Sequence, residues 1–271
     1  MILAYKGIKI NYTTLGKGTP VVFLHGFLEN LSMWEETTEF LKNNHQCILI
    51  DLLGHGHSEN IGYIHTMENM AEAVKAVLEN LHISKAVFVG HSMGGYVSLA
   101  CIDLFPDLVL GIILLNSTSF ADNEEKKQNR TRAINIVKKN PNAYTSMAIA
   151  NLFAEENQLR FANEIDKIKD QASKVSLQGI ISALEGMKIR KDRTNILADF
   201  KGSKMIFAGI KDPVLSYKQS CTEAKQNDVD LISLEGGHMS YLENKEQYMI
   251  ELSRFLNSID PQLMERSAFL L

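Results

Sequence analysis

VFVGHSMGGYVSLA, residues 87–100, carries an apolar strand-like run into Gly90-His91-Ser92-Met93-Gly94-Gly95 and out into a second apolar run of helical period. A serine hydroxyl is a poor nucleophile. To react it needs a base beside it, an exposed position and donors aimed at the oxyanion it creates. A strand-to-helix elbow supplies such a position, and its tight backbone demands small residues two places before and after the nucleophile, where Gly90 and Gly94 stand around Ser92. Ser92 is then placed at the carboxyl end of a strand and at the amino end of a helix, where N–H groups favour negative charge. The bland alternative is a glycine-rich turn that only lets a helix pack on a sheet.

Working outward, KINYTT (9–14) alternates like a solvated strand, whereas VVFLH (21–25), CILID (47–51), AVFVG (86–90), GIILLN (111–116) and KMIFAG (204–209) are continuous apolar runs. Such runs mark strands buried on both faces of a parallel sheet. Between them Met67, Met70, Ala71, Val74, Val77, Leu78 and Leu81 recur at helical spacing behind a Thr66 N-cap, and Pro106 closes the helix that begins near Ser92. This alternation predicts an α/β fold. The rhythm fails over 117–195, which is helix-like throughout. That stretch is read as a helical insertion, with 1–116 and 196–271 forming the core. After it come KMIFAG, a helix near 214–226, DVDLISL, and a last helix near 244–257 with Asn244 and Gln247 as a capping pair.

The 271 residues suffice for one large domain with an insertion, and the 45% hydrophobic and 22% charged fractions are those of an ordinary globular chain. A formal net charge of −4 offers no footprint for nucleic acid. Cys47, Cys101 and Cys221, an odd and scattered set, argue against a disulfide framework or a zinc site and for a reducing compartment. The amino-terminal segment lacks the pattern of a signal peptide and no apolar run is long enough to span a bilayer, so the expectation is a cytoplasmic protein with no membrane partner. Oligomeric state is not readable.

Four ordered motifs, HGF (25–27), DLLGHGHS (51–58), GHSMGG (90–95) and the pair GIKDP with GGHMSYLE (209–213 and 236–243), make the chain from about Gly7 to about Leu256 resemble the α/β-hydrolase superfamily, in its small cytosolic esterase and lactonase-like branch with a helical cap. The resemblance implies a mostly parallel eight-stranded sheet flanked by helices, and a triad ordered serine, acid, histidine along the chain. Among eight histidines, His238 fits the base: it lies near the carboxyl terminus in a Gly-Gly-His turn after DLISL. His45 and His82 read as surface residues, and His91 is too close to Ser92 in sequence to reach back. Asp212 follows KMIFAG at the carboxyl end of a strand and is taken as the acid. In the alternative position, after the strand ending Asn116, Ser117, Thr118, the next carboxylate is Asp122. The oxyanion hole falls to the N–H groups of Met93, the residue after the nucleophile, and, by the resemblance, Phe27.

The implied reaction is cleavage of a carboxylic ester with a small or medium acyl group through an acyl-enzyme, needing no cofactor, with activity rising as His238 loses its proton. Lactone, thioester and carbon–carbon hydrolysis and cofactor-free perhydrolysis share the triad, and a small-ligand receptor shares the fold. Leu28, Trp34, Met147, Phe153, Met187, Met239 and Tyr241 are candidate pocket residues, each of which helical spacing also permits as core. HGHS (55–58) has no third ligand beyond Asp51, so no metal is expected. KIRKDR (188–193) reads as a solvated return from the cap, with an anion-reading role for Arg190 or Arg193 as the lesser alternative, EEKKQNRTR (124–132) reads as the wet face of the first cap helix, and SIDPQLMERSAFLL (258–271) has no counterpart in the family.

Overall fold

The computed structural model describes residues 1–259; the terminal segment singled out above lies outside the described residues from position 260 onward. Eight strands, β1 (Ile2–Tyr5), β2 (Ile8–Leu15), β3 (Thr19–Leu24), β4 (His45–Ile50), β5 (Ala86–His91), β6 (Val109–Leu115), β7 (Ser203–Gly209) and β8 (Asp230–Leu234), form one sheet in the order β1-β2-β4-β3-β5-β6-β7-β8. The two amino-terminal strands pair antiparallel, and every pairing from β4 to β8 is parallel.

The apolar runs are continuous because both faces of the sheet are covered. Along β3, Val22 and Leu24 enter one hydrophobic cluster while Val21 and Phe23 enter the other, and Phe88 and Val89 of β5 divide in the same way. The first cluster is closed by α2 (Met67–Asn80) and α3 (Met93–Leu104), the second by α11 (Lys245–Ile259) through Tyr248, Leu252, Phe255 and Leu256. Thr66 caps α2 as its spacing predicts, its side chain accepting from Asn69 N at 3.1 Å. Of the remaining helices, α1 (Glu35–Leu41) precedes β4, while α9 (Tyr217–Gln226) and the short α10 (Ser240–Glu243) flank β8.

Between β6 and β7 the chain is helical: α4 (Glu124–Lys139), α5 (Pro141–Ala150), α6 (Ala162–Ser173), α7 (Leu177–Lys188) and α8 (Thr194–Asp199), with no strand in 116–202. Glycines let α7 lie on the core loops. A Cβ on Gly179 would sit 2.3 Å from Gly54 O, and one on Gly186 would sit 1.8 Å from His65 O.

Several local expectations are corrected. Arg190 and Arg193 are 6% and 3% exposed: Arg193 ties the returning chain to Glu68 of α2 (2.6 Å) and Asp103 of α3 (3.2 Å), and Arg190 lies over the Tyr96 ring. KIRKDR is therefore a set of ties rather than a solvated face. Arg130, within the run read as a wet helix face, pairs with the buried Asp122. His45 is buried, because β4 lies inside the sheet. Asn244 ends α10 and Gln247 donates to Ser233 O, so the two form no capping box. Among the described residues no helix is long and apolar enough to cross a membrane.

Candidate active site

The carboxyl ends of β3, β5, β6 and β7 converge on Ser92. Its backbone is held at φ 48°, ψ −113°, in the left-handed half of conformational space, at the junction of β5 and α3. The turn needs its glycines: a Cβ on Gly90 would meet Gly94 backbone at 2.5 Å, and one on Gly94 would meet Leu24 O at 2.2 Å. Neither neighbour is a movable side-chain tip. Gly94→Ala is accordingly expected to destabilise the fold by about 1–3 kcal/mol or more, read as a lowered urea midpoint with unchanged slope; an unshifted midpoint would show that the elbow has room.

His238 Nε2 lies 2.9 Å from Ser92 Oγ, and its Nδ1 lies 2.8 Å from Asp212 Oδ2. Since a carboxylate only accepts, Nδ1 carries the proton, which leaves Nε2 free to accept from the serine hydroxyl. Both side chains are nearly buried, at 3% and 2% exposure. Asp212 also accepts from Asn116 Nδ2 (3.0 Å) and from the N–H groups of Val214 (2.7 Å) and Leu215 (3.0 Å). Burial pushes its carboxyl up, but the charge and hydrogen bond of His238, with the bonds from Asn116 and Leu215, outweigh burial and hold it below the ordinary carboxylate value.

The loop carrying His238 is tied on all sides. His238 N–H donates to Leu152 O (2.7 Å), Gly237 N–H donates to Glu243 Oε1 (2.8 Å), and Asn116 Nδ2 donates to Gly237 O (3.1 Å). His91 holds the remaining carbonyl. Its Nε2 is 3.0 Å from His238 O and its Nδ1 is 2.7 Å from Glu29 Oε2. Both partners are acceptors, so both ring nitrogens donate and His91 is an imidazolium. Burial lowers its pKa, yet the charge and hydrogen bond of Glu29, with the His238 carbonyl and the Asp212 charge, outweigh burial and the net shift is upward; burial likewise raises Glu29, and His91 with His25 and the Gly26 N–H brings it below its usual value. The pair is 1% and 3% exposed.

Phe27 follows β3 in a turn fixed from below by His25, whose Nδ1–H donates to Gly26 O (2.7 Å) while Nε2 accepts from Leu52 N–H (2.9 Å). Asp51 of the DLLGHGHS turn accepts from Leu31 N, His57 N and Asn11 Nδ2, each at 2.8 Å. The N–H groups of Phe27 and Met93 donate to no acceptor among the described residues.

Ser92 and His238 face a cavity of about 100 Å³ that is also lined by Phe27, Tyr96, Arg130, Leu152, Met187 and Val214. It adjoins a wider one of about 550 Å³ that shares Tyr96, Arg130 and Val214. Of the expected pocket residues Met187 lines this cavity, as does Phe27, whose side chain its place in the turn leaves free to do so. Leu28, Trp34, Phe153 and Met239 are core side chains at 0–2% exposure, with Trp34 packed between Phe23 (5.3 Å) and Tyr241 (6.0 Å). Tyr241 borders a separate cavity of about 480 Å³, and Met147 is 52% exposed. Spacing alone could not separate core from wall. Asn116, Glu29, His91 and Glu243 were missed as residues around Ser92 and His238, and only Asn116 carried a signal, its place at the end of the strand after the one that carries Ser92.

Residues 19–161 match a family described as alpha/beta hydrolase fold. Among curated proteins the chain is 25% identical over 261 residues to a putative non-heme haloperoxidase of Mycobacterium phage D29, covering 90% of each. It is 25% identical to 3-oxoadipate enol-lactonase 1 of Acinetobacter baylyi, covering 88% of this chain and 89% of that one. Among solved structures a thermophilic esterase from Thermogutta terrifontis superposes with a TM-score of 0.88 at 27% identity, over 95% of this chain and 97% of that one.

Proposed function

The chain belongs to the alpha/beta hydrolase fold family, and from that premise we propose that it is a serine hydrolase that cleaves a carboxylic ester through an acyl-enzyme. The observation that carries the reading is the unbroken line from Ser92 Oγ through His238 to Asp212, at 2.9 and 2.8 Å. Relatives named as an esterase and an enol-lactonase support ester bonds as the target.

In this mechanism His238 Nε2 takes the proton of Ser92 as its Oγ adds to the ester carbonyl. Asp212 keeps the imidazole in the Nδ1–H form and stabilises the imidazolium. The unengaged N–H groups of Phe27 and Met93 receive the oxyanion. Collapse expels the alcohol with the proton from His238, and water then frees the acid by the same steps in reverse order. Ser92's position at the amino end of α3 adds a favourable dipole to the developing charge. The tied His238 loop keeps the base in place at no reorganisation cost during the reaction.

The test is hydrolysis of a p-nitrophenyl ester series of rising acyl length, combined with fluorophosphonate labelling. The expected result is a maximum at short acyl chains, since the inner cavity holds about 100 Å³, and stoichiometric label on Ser92. Label elsewhere, or none, removes the serine hydrolase reading. Label without turnover of any ester would favour a receptor built on this fold.

A further inference from the structure

Two arginines share one carboxylate beside the catalytic cavity, and they are used differently. Asp122, with a fully buried side chain, accepts from Arg190 Nη1 through Oδ1 (2.6 Å) and from Arg130 Nε through Oδ2. Arg190 spends its other donors on the protein: Nε and Nη2 reach Phe120 O at 3.2 and 3.0 Å, and Nη1 also reaches Met187 O at 3.1 Å. Arg130 has no such set. Among the described residues its two Nη groups meet no acceptor, and its side chain, 20% exposed, forms part of the wall of both the catalytic cavity and the wider one.

A guanidinium presents five N–H donors in a planar fork that matches a carboxylate. One carboxylate cannot neutralise two guanidiniums, so the Asp122 group keeps a net positive charge. Lys126, one turn earlier on α4, stands in the wall of the wider cavity with its ammonium paired to no residue among those described. The opposing charge there is Glu125, which is exposed and screened by solvent. Glu29 and His91, also at the catalytic cavity, neutralise each other. The remaining negative charge, Asp212, is buried behind His238 with its oxygens engaged by His238, Asn116, Val214 and Leu215, so what the wall nearest Ser92 leaves without a partner among the described residues is the pair of Nη groups on Arg130.

We propose that Arg130 is a substrate-binding residue for an ester whose acyl half ends in a carboxylate, held by its two Nη groups, with Lys126 drawing the anion in from the wider cavity. This rests on the serine hydrolase reading above. The acyl half is the part retained on Ser92 between the two chemical steps, so a clamp on it acts in both, whereas a clamp on the alcohol acts only in the first. Arg130 touches no reacting atom and sets specificity.

The experiment compares monomethyl glutarate with methyl pentanoate, which has the same acyl carbon count, by acid release. Wild type, Arg130→Gln and Lys126→Gln are each measured. Wild type is expected to favour the half-ester in kcat/KM by about 10- to 100-fold, the range of a charge-assisted hydrogen-bonded pair. Arg130→Gln brings that ratio to about 1, and Lys126→Gln lowers it by about 3-fold, an effect that high salt mimics in wild type. Asp122 retains Arg190 in the arginine variant, so the fold has a reason to survive. Should the variant fail to fold, competitive inhibition of wild type by glutarate, weakening with salt and absent for uncharged glutaramide, carries the same information. Equal or better hydrolysis of methyl pentanoate, or inhibition indifferent to charge, overturns the proposal while leaving the hydrolase reading intact. Failure of the hydrolase reading shows separately, as no turnover of either ester and no labelling of Ser92. Calorimetric binding of glutarate, lost in Arg130→Gln, then still decides whether the anion site exists.

Discussion

Ser92→Ala is expected to lower kcat by about 10⁴- to 10⁶-fold, the range seen when a triad loses its nucleophile, while the melting temperature stays close to that of the wild type. The hydroxyl's partner is His238 Nε2, at a residue that lines the cavity with Ser92, so its removal leaves one ring acceptor beside a cavity wall and breaks no bond that holds the backbone. The positive φ at position 92 is imposed by the elbow and remains with alanine in place. Asp212→Asn should cost about 10⁴-fold by a different route. An amide there donates to Nδ1 and drives the ring proton to Nε2, where it faces the serine that needs a base. The amide oxygen stays at the Oδ1 position, where the Val214 and Leu215 N–H groups need an acceptor, and this puts the amide nitrogen at the Oδ2 position, facing Nδ1. Steady-state kinetics on an ester found in the series, with thermal melts of each variant, make the comparison. The double variant should be no worse than Ser92→Ala alone, since the residues act as a unit. Turnover by Ser92→Ala within tenfold of wild type would remove it from the nucleophile's role.

Glu29→Ala should destabilise the protein by about 3–5 kcal/mol, the cost of breaking a buried ion pair. The carboxylate accepts from His91 Nδ1 and from Gly26 N–H at 2.6 Å, so alanine leaves the Nδ1–H of a buried imidazolium and the Gly26 amide without partners. If His91 then loses its Nδ1 proton, Nε2 still donates to His238 O, and the cost falls toward that of the unpartnered Gly26 amide. The pH dependence follows from the directions of the two shifts. Glu29, held below its ordinary value, contributes stability that is present above about pH 4.3 and is lost as pH falls through its folded pKa. His91, held above its ordinary value, contributes stability that is complete below about pH 6.5 and is lost as pH rises through its folded pKa. The gap between wild type and variant, from urea titrations across pH, should therefore be widest between those limits and narrow on both sides. A gap that is flat with pH would mean that the pair is not ionic.

The parallel sheet was legible because burial on both faces removes the need for polar residues, and VVFLH or GIILL then stands out against any amphipathic background. Ser92 was legible for a related reason: Gly90 and Gly94 face carbonyls and backbone at 2.5 Å or less from a would-be Cβ, so the turn admits few residue types and leaves a spaced signature. Asp212 and His238 each follow a strand at the carboxyl edge, and position relative to strands is readable once the strands are.

The pocket was not legible. Trp34, Phe153 and Met239 have the same apolar character whether they fill a core or line a cavity, and only the packing of α10 and of the helices between β6 and β7 against the sheet decides which. Charges misled for the opposite reason. Arg190 and Arg193 in KIRKDR look like solvent-facing residues, but Asp122, Glu68 and Asp103, distant along the chain, meet them in space and make burial tolerable.

By itself, then, the sequence determined the elements that local constraint dictates: the strands buried on both faces, the elbow at Ser92, and the places of Asp212 and His238 after strands at the carboxyl edge of the sheet. The tertiary structure alone decided what depends on residues far apart in the chain meeting. It made His91 a cation by giving both ring nitrogens acceptors, one from Glu29 and one from the main chain of His238, and it left Arg130 in the cavity wall with two Nη groups that meet no acceptor among the described residues. Hydrogen-bond partners and burial are properties of neighbours in space, and a pattern of spacing along the chain carries no record of them.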